Sequence, residues 1–94
     1  MTNNSAAYEL EFKPIILKEL CVSCGISQAR LAKSANVSRA AVNLALNRGY
    51  TPKERPEFCT LVEAEIKSDR RAMQWLHERK LQASDVWKAL GKDL

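Results

Sequence analysis

Several residue types on which small functional domains depend are scarce in this 94-residue chain. It contains one histidine, three cysteines, three glycines and three prolines, and aromatic residues make up only 6%. No nucleophile and base stand at a recognisable spacing, and no glycine motif is suited to cradling a phosphate. The length allows one domain with one core, but no separate substrate domain. We therefore expect a single domain that is not an enzyme and carries no cofactor.

Long apolar runs are also absent from the chain, although 46% of its residues are hydrophobic and 28% are charged. This composition is typical of a folded soluble domain, and no run approaches the length of a membrane span. The most apolar early stretch, PIILKELCV, is interrupted by Lys18 and Glu19, so no secretory signal is expected. We predict a cytoplasmic protein with no membrane partner and no evident small-molecule ligand.

The three cysteines are an odd number in a chain for which no secretion is expected, so no disulfide framework is predicted. Cys21 and Cys24 have the C-x-x-C spacing of metal and redox sites. A zinc ion would need further ligands from Cys59 and the lone His77, whose spacing is irregular. Because Cys21 and Cys24 fall on a predicted helix, we expect both to pack in the core and no metal to bind.

Acidic residues are scarce in one part of the chain, whose overall net charge is +4. Residues 27–55 hold six Lys or Arg against one Glu, whereas residues 56–94 hold seven residues of each sign. A local basic patch attracts phosphate backbones, although a small basic excess also occurs on proteins that never meet nucleic acid. Charge alone therefore supports nucleic-acid binding only weakly.

Hydrophobic periodicity predicts an all-α fold of five to six short helices, with residues 1–9 as a flexible tail and residues 10–94 as one domain. Helix 1 is predicted from about Glu11 to Cys24, with Pro14 in its first turn. The tail contains no Lys or Arg, which argues against a basic arm in the minor groove.

Three further helices are predicted over residues 56–90. The first has Pro56 in its first turn and is expected to bury Phe58, Leu61, Val62, Ala64 and Ile66. Asp69 is the predicted N-cap of the next helix, Arg70 to Lys80, and Ser84 is a cap candidate for a short last helix.

The stretch SQARLAKSANVSRAAVNLAL, residues 27–46, contains two helical patterns separated by three residues. Ser27 and Ser38 are good N-caps, and Asn36 favours the left-handed backbone that a tight turn requires. These features predict a helix-turn-helix over residues 27–47. All the positions that then point inward are apolar: Leu31, Ala35, Val37, Val42 and Ala45, with Ala32 against the crossing helix.

The segment ISQARLAKSANVSRAAVNLALNRG, residues 26–49, resembles the helix-turn-helix of the lambda-repressor-like DNA-binding family of phages and mobile elements. The shared features are Ser-Gln, Leu-Ala, the turn, Val-Ser-Arg and a closing Asn-x-Gly. Asn36 departs from the pattern, because the family favours glycine there. Over the flanking helices the resemblance is limited to their layout.

The resemblance implies that the second helix of the pair enters the major groove of double-stranded DNA. Arg39 would then donate to the O6 and N7 of a guanine, Asn43 would pair with an adenine edge, and Ala40 would touch a thymine methyl group. The absence of acid from this helix agrees with such a role. The alternative is that Arg39 and Asn43 belong to an ordinary solvated face.

The resemblance also implies contacts with DNA phosphates at the start of the first helix and after the second. Gln28 matches the family glutamine that bonds the backbone, and Ser38 would share its hydroxyl between capping and phosphate. For Lys53 and Arg55, simple solvation is an equally good explanation. The full set of candidates is Gln28, Ser38, Asn47, Arg48, Tyr50, Lys53 and Arg55.

One recognition helix reads only a few base pairs, so a homodimer on a palindromic site is expected. Candidates for the dimer interface lie in the neutral C-terminal part, because large apolar residues there exceed what a small core needs. They are Met73, Trp75, Trp87 and Leu90. The alternative for both tryptophans is packing of the C-terminal helices onto helix 1.

Two functions follow as hypotheses. The first is a sequence-specific, nucleoid-associated transcriptional regulator, most simply a repressor of a phage or mobile element. The second is an accessory module whose fold resembles the N-terminal domain of Mu-type transposition ATPases, which would bind DNA with little specificity and hold a protein partner. Salt dependence and competitor DNA distinguish the two.

Overall fold

A computed structural model describes residues 13–90, so the predicted tail and the first residues of predicted helix 1 lie outside the described part. The fold is all-α, as the sequence predicts. Five α-helices are followed by a 3-10 helix, and the β-structure within residues 13–90 is limited to one isolated bridge between Ile15 and Ala89. The helices are α1 (Ile16–Cys24), α2 (Gln28–Ala35), α3 (Arg39–Arg48), α4 (Pro56–Lys67), α5 (Arg70–Glu78) and the 3-10 helix Ala83–Trp87.

Three of the predicted N-caps are confirmed. Ser27, Ser38 and Asp69 each accept a hydrogen bond from the backbone N–H three residues later, at 3.0, 3.1 and 2.8 Å respectively. Each bond satisfies one of the N–H groups that a helix start leaves without a partner. The starts of α2, α3 and α5 are therefore encoded locally. The prediction that Pro56 lies in the first turn of α4 is also confirmed.

The predicted start of helix 1 is wrong within the described residues. Pro14 lies outside the helix, and Ile15 has an extended backbone with φ −108° and ψ 166°. The reason is a pair of long-range hydrogen bonds to the end of α3: the N–H of Lys13 donates to Asn47 O at 2.7 Å, and that of Ile15 donates to Leu46 O at 3.2 Å. The extended segment thus occupies carbonyls that the C-terminus of α3 would otherwise leave unpaired.

The C-terminal elements differ from the prediction in three details. Helix α5 ends at Glu78 because Lys80 adopts the left-handed conformation, with φ 59°. The last element is a 3-10 helix that begins before Ser84, and its first turn is closed by the Asp85 carboxylate, which accepts from the N–H of Gln82 at 2.7 Å. In α4, the predicted core residue Ala64 is exposed.

One hydrophobic core joins all the helices. Helix α2 packs against α3 and α4, whereas α1 packs mainly against α5 and the 3-10 helix. The largest fully buried side chains include Leu17, Leu20, Leu31, Ile66 and Leu76. Within residues 13–90 no polar or charged residue is buried, so the core is held by apolar contacts. No helix in the described part of the chain combines the length and apolar character that a membrane span requires.

All three cysteines lie in this core as free thiols, as predicted for Cys21 and Cys24. Burial raises the pKa of Cys21 to about 12 and that of Cys59 to about 11. Because the thiolate is the reactive and metal-binding form, these groups stay inert near neutral pH. A group of three or more metal-ligating side chains is not found among the described residues.

Candidate nucleic-acid interface

The α2–α3 pair is held in place by a turn of three residues that contains Asn36. Asn36 has φ 57° and ψ 48°, the left-handed conformation expected from the sequence, and its N–H reaches the carbonyls of Ala32 and Lys33. The inward set of the pair is confirmed. Its buried members are Leu31, Ala32, Ala35, Val42 and Ala45, and the half-buried Val37 packs against them.

A charged network fastens α2 to the rest of the molecule. The guanidinium of Arg30 donates to Glu65 Oε2 at 2.6 Å and contacts Asp69 Oδ2 at 2.9 Å. Ser34, one turn later, donates to Glu65 Oε1 at 2.9 Å. The bond from Arg30, supported by Ser34, lowers the pKa of Glu65, while the capping N–H of Ala72 and then Arg30 lower that of Asp69. Near neutral pH both carboxylates therefore remain ionised, and their bonds to Arg30 hold α2 in place.

The candidate base-reading residues lie at the start of α3 and on its open side. Ala40 and Asn43 are exposed on the side away from the buried Val42, Ala45 and Leu46, and Arg39 is exposed as the first residue of α3. Neither Arg39 nor Asn43 uses its side chain in a hydrogen bond or ion pair with residues 13–90. Their donors and acceptors are thus available to a ligand.

Leu44 belongs to the same exposed side, and the sequence interpretation missed it. It is 38% exposed, and the other exposed large hydrophobic residue in the described part is Val22, on α1. At about 100° per residue, the direction opposite to the buried residues of α3 falls between Ala40 and Leu44. The period of the helix could have revealed this, because Ala40 and Leu44 are four residues apart on the side that the core residues leave open.

The predicted phosphate contacts at the ends of the two helices are accessible to different degrees. Gln28 is the half-buried first residue of α2, and Ser38 is exposed while its hydroxyl caps α3. Arg48 is exposed at the end of α3. Asn47 is half-buried and engaged, because its Oδ1 accepts from Lys18 Nζ at 2.6 Å and its amide donates to Asn43 O at 2.9 Å. Asn47 thus links α3 to α1.

The predicted contacts after α3 form an aromatic and cationic cluster. The guanidinium of Arg55 lies 4.8 Å from the centroid of the Tyr50 ring, which packs edge-on against Phe58 at 5.8 Å. This stacking fixes the position of Arg55 while leaving the residue exposed. Lys53 is exposed in the same loop. Tyr50 is half-buried and packs against the core, so its ring supports the loop.

The distribution of charge around this surface is one-sided. Residues 20–53 contain no Asp or Glu, but they contain Arg30, Lys33, Arg39, Arg48 and Lys53. Because Arg30 is paired with two carboxylates, the unopposed positive charge comes from the other four residues. They are exposed and lie on or beside the α2–α3 pair.

The structure places the candidate dimer residues in or against the core. Trp75 and Trp87 are each 7% exposed, and Met73 and Leu90 are half-buried and pack against the core. The indole N–H of Trp87 donates to Glu63 Oε2 at 2.6 Å, and the guanidinium of Arg79 lies 4.0 Å from the Trp75 ring centroid. Packing within one chain therefore accounts for both tryptophans, which leaves little of either ring for a partner.

Comparisons of the chain with protein-family models, with curated proteins and with solved structures find no match.

Proposed function

We propose that this protein is a sequence-specific regulator of transcription that binds double-stranded DNA by inserting α3 into the major groove. The observation that carries the proposal is the exposed surface of the acid-free helix α3, with Arg39 at its start and Ala40 and Asn43 on its open side. A helix that lies between two phosphate strands must avoid carboxylates, and it needs small or hydrogen-bonding side chains to approach base edges. An ordinary solvated helix is under neither constraint.

The proposed binding mode assigns separate roles to the two helices and the following loop. Arg39 donates to a guanine and Asn43 pairs with an adenine, while Arg48, Lys53 and Arg55 contact phosphates along one strand. Gln28 and Ser38 face the phosphate backbone from the starts of α2 and α3. The network of Arg30 with Glu65 and Asp69 holds α2 in place, and the short turn joins α3 to it, which lowers the conformational entropy lost on binding.

Repression is the simplest mode of action for such a protein. The proposal includes no catalytic group and no bound effector, and occupancy of an operator is sufficient to block polymerase. Because a single helix reads only a few base pairs, we propose that two copies bind the two halves of a palindromic site in the cytoplasm, on the nucleoid. The resemblance to lambda-repressor-like proteins agrees with this arrangement and with an origin in a phage or mobile element.

The direct test is selection of bound duplexes from a random-sequence pool. The proposal predicts enrichment of one two-fold symmetric motif, with a preference over bulk DNA of about 10³ or more. Sedimentation of the free and the DNA-bound protein then gives the stoichiometry. A pool that remains random after repeated selection would contradict the proposal.

A second candidate function is an accessory module that binds DNA through phosphates and recruits a protein. The observation that favours it is a surface groove of about 340 Å³ between α4, α5 and the 3-10 helix, lined by residues that include Met73, His77 and Leu81. Such a module would show a steep salt dependence but almost equal affinity for unrelated duplexes. Competition by bulk DNA at one fixed salt concentration separates it from a specific regulator.

A further inference from the structure

Val22 on α1 and Leu44 on α3 are the exposed large apolar residues of the described part, and Leu44 is the one within the candidate interface. It is 38% exposed and does not belong to the half-buried set that packs against the core. A leucine that stays in water contributes no hydrophobic stabilisation to the fold. Other exposed positions of α3, such as Arg39 and Asn43, carry polar side chains. The position of Leu44 therefore suggests a contact outside the folded chain.

The surroundings of Leu44 indicate the chemistry of that contact. On a helix, a residue four positions away lies on the same face, so Ala40 and Leu44 form one apolar strip. Arg39 and Asn43 flank the strip on one side, and Arg48 flanks it on the other at the end of α3. An apolar strip between cations and an amide matches the major groove of DNA, where phosphates border the base edges. The apolar group that a base edge presents there is the C5-methyl group of a pyrimidine.

We infer that Ala40 and Leu44 together contact a pyrimidine C5-methyl group, and that Leu44 is a specificity-determining residue of the interface. The inference rests on the proposed function and deepens it, because it makes methyl contact central to recognition alongside the hydrogen bonds of Arg39 and Asn43. Leucine reaches farther from the helix than alanine does, so it supplies most of the apolar surface that covers the methyl group.

The same methyl group occurs on thymine and on 5-methylcytosine. A strip that reads only the methyl group responds to either base, whereas the neighbouring hydrogen bonds distinguish an A·T pair from a G·C pair. The two sources therefore require separate measurements on one duplex.

The experiment begins with the duplex that is most enriched from the random-sequence pool and measures its affinity for the full-length protein. One derivative carries deoxyuridine in place of thymidine, which removes the methyl groups and leaves the hydrogen-bonding edges unchanged. A second derivative carries 5-methylcytosine in place of cytosine. Burial of one methyl group by each bound copy predicts about a fourfold loss per half-site on the first derivative if thymine is the source, or about a fourfold gain per half-site on the second if 5-methylcytosine is the source.

Three variants assign the effect to Leu44. Leu44→Ala should reduce the response to the methyl group to under about twofold, and Leu44→Met should retain most of it, because methionine keeps an extended apolar side chain. Alanine and methionine are good helix formers, so both variants are expected to fold. Val22→Ala is the matched control, because Val22 is 74% exposed on α1 and lies outside the proposed interface. It should bind all three duplexes as the unmodified protein does.

The outcomes separate the inference from the proposed function. A protein that binds its duplex specifically, but tolerates both base replacements without change, overturns the methyl contact and leaves the regulator intact. An equal methyl response in Leu44→Ala and the unmodified protein excludes Leu44 as its reader. Failure to enrich any duplex overturns the proposed function, and the inference falls with it.

Discussion

Arg30 on α2 donates to Glu65 on α4 across 2.6 Å, and this bond connects the candidate DNA-binding pair to the C-terminal helices. Asp69, the N-cap of α5, contacts the same guanidinium at 2.9 Å. One arginine thus sets the position of α2 relative to two other helices. Both ion pairs are partly exposed, so their contribution to stability is modest, and their main effect is on orientation.

The first prediction concerns the loss of folding stability at low pH. The pKa values of Glu65 and Asp69 are lowered in the folded protein from ordinary values of 4.5 and 3.8. A lowered folded pKa gives stability that is complete above the unfolded value and is lost as the pH falls through the folded value. We therefore expect the melting temperature to decrease as the pH is lowered below about 4.5. In Glu65→Gln this decrease should be smaller. Circular dichroism melts across this range measure it.

The control for this prediction is Glu19→Gln, which removes the same charge from an exposed position on α1. In this variant the melting temperature should decrease with falling pH about as steeply as in the unmodified protein. If Glu65→Gln and Glu19→Gln behave alike, the Arg30 network does not contribute to acid stability.

The second prediction concerns base reading by Arg39. Arg39→Ala should cost about 1–3 kcal/mol of binding free energy on the selected duplex and relax specificity at one base pair. Arg48→Ala, at the other end of α3, should weaken all duplexes alike, because a phosphate contact carries no sequence information. Affinities for a set of single-base variants of the duplex measure both. A uniform loss in Arg39→Ala would make Arg39 a phosphate contact.

The third prediction compares the two tryptophans, which are equally buried at 7% exposed. The indole N–H of Trp87 donates to Glu63 at 2.6 Å, whereas that of Trp75 has no acceptor within residues 13–90. Both tryptophan-to-phenylalanine variants lose similar volume, and Trp75→Phe keeps an aromatic ring beside the Arg79 guanidinium, so the hydrogen bond of Trp87 is the main difference. Trp87→Phe should cost about 1.5 kcal/mol more unfolding free energy than Trp75→Phe. Urea denaturation of both variants measures this difference, and equal losses would show that the bond to Glu63 adds no net stability.

The fourth prediction concerns the turn between α2 and α3. Asn36 has φ 57°, a conformation that costs an alanine about 1 kcal/mol or more and costs glycine little. Asn36→Ala should therefore lower the free energy of unfolding by about 1 kcal/mol, while Asn36→Gly should stay within about 0.5 kcal/mol of the unmodified protein. Urea denaturation provides the values. An Asn36→Ala variant as stable as Asn36→Gly would show that the turn does not require the left-handed backbone.

The features that the sequence predicts well are those with local causes. The caps at Ser27, Ser38 and Asp69 and the turn at Asn36 depend on bonds that span about three residues, and sequence preferences report such bonds directly. The extended conformation of Ile15 depends on Leu46, which is distant in sequence, and no local pattern encodes that bond. The true start of α1 was therefore not predictable from the residues around it.

The candidate site shows the same division. The exposure of Ala40 and Asn43 follows from the helical period, and the same period would have shown Leu44. Arg39 is exposed because it is the first residue of α3, although it is seven residues from the buried Leu46. In contrast, the engagement of Asn47 by Lys18 and the stacking of Arg55 on Tyr50 require the tertiary structure. The burial of Trp75 and Trp87 illustrates the remaining limit, because composition alone does not tell a buried aromatic residue from an exposed one.

The central claim is that the exposed side of α3 contacts duplex DNA. The most direct measurement is titration of the isotope-labelled full-length protein with random-sequence duplex at low salt, followed by the backbone amide signals in NMR spectra. We expect the signals of residues 39–44 to shift or broaden, while those of residues 74–78 on α5 stay in place. If the signals of residues 39–44 remain unchanged while the protein stays folded, the claim is contradicted.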